Sequence, residues 1–106
     1  MDVLPRFRRT INSVYRRLGR EADYWPADGS PPVERVRVIA RRPERLFELG
    51  EAQIHSEDPQ LEFRVSEIPA PERGDDVHIG EQIYRIESEP RLEQHQLIWV
   101  VDALLL

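Results

Sequence analysis

Gly74-Asp75-Asp76-Val77-His78-Ile79-Gly80-Glu81-Gln82-Ile83-Tyr84-Arg85-Ile86 is the stretch on which the fold class turns. Gly74 and Asp75 lead into a strand around Val77 and Ile79. Gly80-Glu81 makes a tight turn, and Tyr84 and Ile86 lie on the strand that returns. A glycine at the first central position of a two-residue loop supplies the positive φ of a type II′ turn, whose twist matches that of paired strands. Asp75 is placed to hydrogen-bond its own turn.

Working outward, the same texture continues in both directions. The run from Leu97 through Ile98, Trp99, Val100 and Val101 to Leu106 is apolar on both faces. It is therefore a central strand, or one that becomes covered on assembly, since an exposed strand of this kind invites aggregation. Upstream, Leu61, Phe63 and Val65 alternate with Glu62, Arg64 and Ser66, giving a half-buried strand before the Pro69-Ala70-Pro71 break. Val36, Val38 and Ala40 alternate with Arg35 and Arg37, so a strand over residues 33–40 has one apolar and one solvated face. Asp28-Gly29-Ser30-Pro31-Pro32 is a turn that joins it to a strand over residues 22–25. Residues 41–50 are less regular, carrying Arg41, Arg42, Pro43, Glu44, Arg45 and Glu48 around Leu46 and Phe47. They form either a long functional loop or an ordinary strand connection.

The N-terminal segment follows a different period. Phe7, Ile11, Val14, Tyr15 and Leu18 share one side of a 3.6-residue helix, and Arg9, Arg16 and Arg20 project from the other. Pro5 suits the first helical position, and Gly19 can take the left-handed conformation that ends a helix. The expected architecture is mainly β: a small β-barrel or sandwich with an N-terminal α-helix. One domain spans residues 1–106, with the helix over 5–18 and the barrel over 21–104.

Composition agrees with one modest core: 106 residues are 40% hydrophobic,. All 15 cationic side chains are arginine, which a codon bias explains without nucleic-acid binding. The net charge of -5 is unevenly spread, because residues 1–20 carry six arginines and one aspartate, a local +5, and the remainder carries -10. Either this is a solvated helix face or one end of the molecule meets an acidic surface, protein or DNA. The absence of cysteine excludes disulfides and thiolate metal sites, so small size is offset by packing or by partners,. No run approaches the roughly 18 apolar residues of a membrane helix, and the N-terminus lacks a signal-peptide core, so the expectation is a soluble chain made in the cytoplasm.

No catalytic, cofactor or metal site is legible. His55, His78 and His95 are far apart and lack ligand spacing. Five serines and Thr10 sit in no nucleophile elbow, and the five glycines form no phosphate loop,. Asp75 and Asp76 lack the further acidic positions of a calcium loop. Tyr24, Trp25 and Tyr84 could stack bases on a small barrel, but the -10 of the segment beyond residue 20 opposes a nucleic-acid ligand,. An enzyme ranks third, since nothing offers a nucleophile, a base and an oxyanion site together.

From Glu67 to Leu104 the residues Ile68-Pro69, Arg73-Gly74-Asp75 with Val77, then Gly80, Tyr84 and Trp99 in the final strand resemble the lambda-type head–tail joining proteins of long-tailed phages, also called stopper or head-completion proteins. Leu18-Gly19, Ala22-Asp23-Tyr24, Asp28-Gly29 and Val36-Arg37-Val38-Ile39 extend the likeness over most of the chain. One departure is the turn before the last strand, where members often carry aspartate and glycine and this chain reads Arg91-Leu92-Glu93-Gln94-His95-Gln96. The resemblance implies a virion protein of the neck, assembled in the host bacterial cytoplasm. It would form a homo-oligomeric ring, hexameric or dodecameric, beneath the portal or adaptor. The ring would close the channel after packaging, present a surface to the tail terminator or tail tube, and let genomic double-stranded DNA pass at ejection. It implies no cofactor and no membrane. The helix arginines Arg9, Arg16, Arg17 and Arg20 are then expected to meet the head-side neighbour. Arg41, Arg42, Glu44, Arg45 and Glu48 correspond by position to a loop that narrows the channel. The alternatives are a tail terminator or minor tail protein, or a nucleic-acid-binding barrel.

Overall fold

In the computed structural model, which describes residues 4–41 and 59–106, one helix precedes seven strands. They are α1 (Leu4–Leu18), β1 (Arg20–Trp25), β2 (Val33–Arg41), β3 (Gln60–Arg64), β4 (Asp76–Ile79), β5 (Gln82–Ile86), β6 (Arg91–Glu93) and β7 (Ile98–Leu105). The sheet order is β3-β2-β1-β4-β5-β7-β6, and a further pairing of β3 with β7 closes six of the strands into a barrel. All pairings are antiparallel.

Closure depends on β7. Residues 98–102 pair with β3 along one edge; on the other edge residues 98–100 pair with β6 and residues 103–105 with β5. The double-faced apolar run is thus paired on both edges, the first of its two expected readings. Val101 and Ala103 face the barrel core, whereas Ile98 and Val100 face outward and are still buried. Inside, cross-strand pairs stack apolar side chains: Ala22 with Val36, Val38 with Phe63, Leu61 with Val101, and Val77 with Tyr84. Phe63, Leu61 and Val38 have no exposed surface. Burying a side chain of this size stabilises the fold by about 2 kcal/mol.

β2 departs from simple alternation. Val36 and Val38 point inward as expected, but Ala40 is exposed and Ile39, on the opposite face, is buried. Around Ile39 that face is covered by α1: Ile11 and Tyr15 pack on Ile39, Ile98 and Val100, with Phe7 and Leu97 at the margin. The expected solvated face keeps Arg35 and Arg41 exposed, and around Ile39 it is the seat of the helix. β2 also carries a bulge, since Ala22 pairs with Val36 but Tyr24 with Val33. Arg35 takes up the extra residue with φ 61°, and Asp23 Oδ1 accepts its amide hydrogen at 3.2 Å,.

The helix begins one residue earlier than its periodicity suggested and ends otherwise than expected. Gly19 is not left-handed; it donates its amide to Tyr15 O at 2.9 Å, and a Cβ there would lie 2.5 Å from that oxygen and 3.2 Å from Arg37 Cβ. Close approach, not positive φ, requires the glycine. Gly80, with φ 61°, opens the β4–β5 turn in which Ile79 pairs with Gln82.

Candidate functional site

The outward side of α1 is arginine-rich because arginines recur at helical spacing opposite the apolar stripe. Arg6, Arg9 and Arg16 line a shallow open groove together with Thr10, Asn12 and Ser13. Arg16 donates to Ser13 Oγ at 3.3 Å. Arg17 is exposed on the flank nearer Val14, and Arg16 and Arg17 in the last turn complement the helix dipole,. Among the described residues no ion pair engages Arg6, Arg9, Arg16, Arg17 or Arg20. Arg20 stands apart. It opens β1 opposite Val38, and its guanidinium lies beside Gly80 at one end of the barrel. The structure thus gathers Arg9, Arg16 and Arg17 and separates Arg20. It adds Arg6, which the spacing of six, nine and sixteen could have revealed.

This face is held in place from below. Arg64 donates from Nη1 to Asn12 Oδ1 at 2.8 Å, its Nη2 lies 3.0 Å from Glu67 Oε1, and its guanidinium sits 5.2 Å from the Tyr15 ring centroid. Glu67 Oε1 also accepts the Arg37 amide at 3.0 Å, while Arg37 Nη1 donates to Gly19 O at 2.9 Å. Helix, β2 and β3 are therefore tied by one polar network. Burial pushes the Tyr15 phenol well above its ordinary pKa, and the nearby Glu62 adds to the effect,.

The residues that carried the resemblance shape the scaffold. Asp75 is buried, and its carboxylate accepts from the Tyr24 hydroxyl, from Ala27 N at 2.8 Å and from Glu72 N at 2.9 Å. It does bond its own turn, as expected, but it also fastens that turn to β1 and the residues after it. Burial first, and the bond to Asp75 second, raise the Tyr24 phenol far above its usual range. Gly74 has φ 97°. Tyr84 is buried and its hydroxyl donates to Gln82 Oε1 at 3.1 Å. Trp99 packs against the barrel core in register with Phe63 and Leu92. Of the proposed base-stacking trio, Tyr24 and Tyr84 are buried and cannot stack; only Trp25 is exposed, and it stacks on His78 at 5.4 Å between centroids.

Arg41 ends β2 and pairs with Glu62 at 2.8 Å. Arg42, Glu44, Arg45 and Glu48, the rest of the channel-loop candidate, lie outside the described residues. No group of three or more histidines or carboxylates among the described residues could hold a metal ion. No described helix is long and apolar enough to cross a membrane. A family model described as phage head-tail attachment protein matches residues 4–103. No curated protein matches the chain.

Proposed function

Because the chain belongs to the phage head–tail attachment family, we propose that it is a stopper or head-completion protein of the virion neck, a structural and not a catalytic component. The observation that carries this reading is the family match over residues 4–103, which spans α1 and nearly all of the barrel. The design supports it: a small rigid barrel bearing an arginine helix beside an acidic body suits assembly between larger particles. In this reading copies form a ring, hexameric or dodecameric, against the portal or adaptor. The ring closes the channel over packaged DNA and presents the attachment surface for the tail terminator or tail tube. Arg9, Arg16, Arg17 and Arg20 meet an acidic head-side neighbour, and residues 41–50 narrow the channel; their deletion should give rings that form but leak genome.

The test is complementation. Purified chain is added to DNA-filled heads lacking it, together with isolated tails, and infectious particles are counted. Rescue supports the head-completion role. Folded protein that binds tail tubes but not heads moves the assignment to a tail terminator.

A further inference from the structure

α1 carries no acidic residue. Arg6, Arg8 and Arg9 stand in its first turns, near the positive end of the helix dipole, where cations are unfavourable, and Arg6 and Arg9 repel one another at i, i+3,. Arg6 and Arg9 therefore oppose the stability of the helix that holds them. With Ser13 and Arg16 they follow the i, i+3, i+7, i+10 spacing that draws one straight row along a helix, about 15 Å from end to end,. The row runs opposite Ile11 and Tyr15, on the side turned away from the barrel, and no ion pair among the described residues engages its arginines. The neutral side chains beside it already have an acceptor engaged. Asn12 Oδ1 takes a hydrogen from Arg64 Nη1 at 2.8 Å and Ser13 Oγ takes one from Arg16 at 3.3 Å, so the Asn12 amide hydrogens and the Ser13 hydroxyl hydrogen remain to be given,. Thr10 turns its own hydroxyl onto Arg6 O. Guanidinium groups offer donors alone, so the groove is predominantly a row of donors, and the bond from Arg64 sets that polarity from beneath the helix,.

We propose that this row is a carboxylate-binding groove whose occupant is a short acidic segment of the head-side neighbour, laid along α1 so that its side chains reach Arg6, Arg9 and Arg16. A planar guanidinium takes a carboxylate through two parallel hydrogen bonds. Phosphate oxygens are acceptors of the same kind, and the chain's net charge of -5 decides against a DNA duplex. A duplex meets the field of the whole subunit, whereas a short segment meets chiefly the groove, since charges beyond about 10 Å are screened at 0.1 M ionic strength. The inference rests on the neck reading above; it names the chemistry that Arg9 and Arg16 recognise there and adds Arg6, Asn12 and Ser13 to the contact.

The test uses the purified full chain with a fluorescein-labelled oligoglutamate peptide and a labelled DNA duplex, binding being read by anisotropy at low salt. The parent should bind oligoglutamate more tightly than the duplex. Arg9→Gln should weaken oligoglutamate binding about fivefold or more, and Arg8→Gln, which removes the same charge at the adjacent exposed position outside the groove, by less than about twofold,. Asn12→Asp keeps an acceptor for Arg64 but sets a carboxylate in the row; it should abolish binding while thermal unfolding stays close to that of the parent,. Equal losses in Arg8→Gln and Arg9→Gln, or binding retained in Asn12→Asp, overturn the proposal in favour of diffuse charge. Tighter binding of the duplex overturns it in favour of a phosphate backbone, and a parent that does not bind oligoglutamate overturns it outright. Rescue of head–tail joining is measured alongside. Undiminished rescue by Arg9→Gln/Arg16→Gln overturns the proposal and leaves the neck assignment, whereas a parent that binds oligoglutamate but rescues nothing removes the neck assignment and leaves the groove.

Discussion

Asp75 is buried, and its carboxylate accepts three hydrogen bonds. Its three donors come from β1, from Ala27 and from Glu72, so one carboxylate fixes two turns against a strand. Replacing it with alanine leaves all three donors without an acceptor, and the loss should exceed about 3 kcal/mol in urea unfolding; Tyr24→Phe removes one bond and should cost about 1.5 kcal/mol. The phenols of Tyr24 and Tyr15 add a pH signature. Both are raised above the ordinary value of about 10, so above that pH the unfolded chain releases protons that the folded chain retains,. Stability conferred by the neutral phenols is complete below pH ~10 and is lost as the pH rises beyond it. Urea midpoints of the parent should fall between about pH 9 and about pH 11, with a shallower fall in Tyr24→Phe and Tyr15→Phe. The turn role of Asp75 was legible because Gly74 precedes it. Its bond to Tyr24, fifty-one positions away, was not, because nothing local marks a partner brought near only by barrel closure.

Among elements, α1 and the β6–β7 turn show where local sequence speaks and where it does not. The periodicity of Phe7, Ile11 and Tyr15 gave the helix and its buried face, but not its seat; Ile39, read within a half-solvated strand, is what it covers. Ile11→Ala should cost about 2 kcal/mol by chemical denaturation. The barrel's own transition should survive that change, since the helix packs outside the closed sheet. In the β6–β7 turn Gln94, His95 and Gln96 all adopt left-handed backbone, with φ of 57°, 56° and 64°. This is the turn in which an aspartate and a glycine were expected and the chain carries neither, and no signal in glutamine or histidine announces a positive φ. Gln96→Gly relieves one strained position and should raise stability by about 1 kcal/mol, read as a higher melting temperature.

For the whole molecule, the asymmetric charge was legible at once, and the gathering of Arg6, Arg9 and Arg16 on the outward side of α1, with Arg20 apart, is what the structure adds. Arg9→Glu/Arg16→Glu should lower particle yield by weakening attachment to the head. Raised salt should weaken attachment of the parent in the same direction, because exposed charges are screened within about 10 Å at 0.1 M ionic strength. Unchanged yield would remove the arginine face from the assembly contacts. The barrel-or-sandwich choice stayed open in the sequence because it hangs on the β3–β7 pairing, which joins residues 60–64 to residues 98–102. That pairing also orders events on the ribosome. β7 is translated after every strand it touches, so a nascent chain holds β3 and β5 with bare edges until β7 leaves the exit tunnel,. A chain cut before β7 therefore has no closed barrel, and it should lack the cooperative unfolding transition of the parent,.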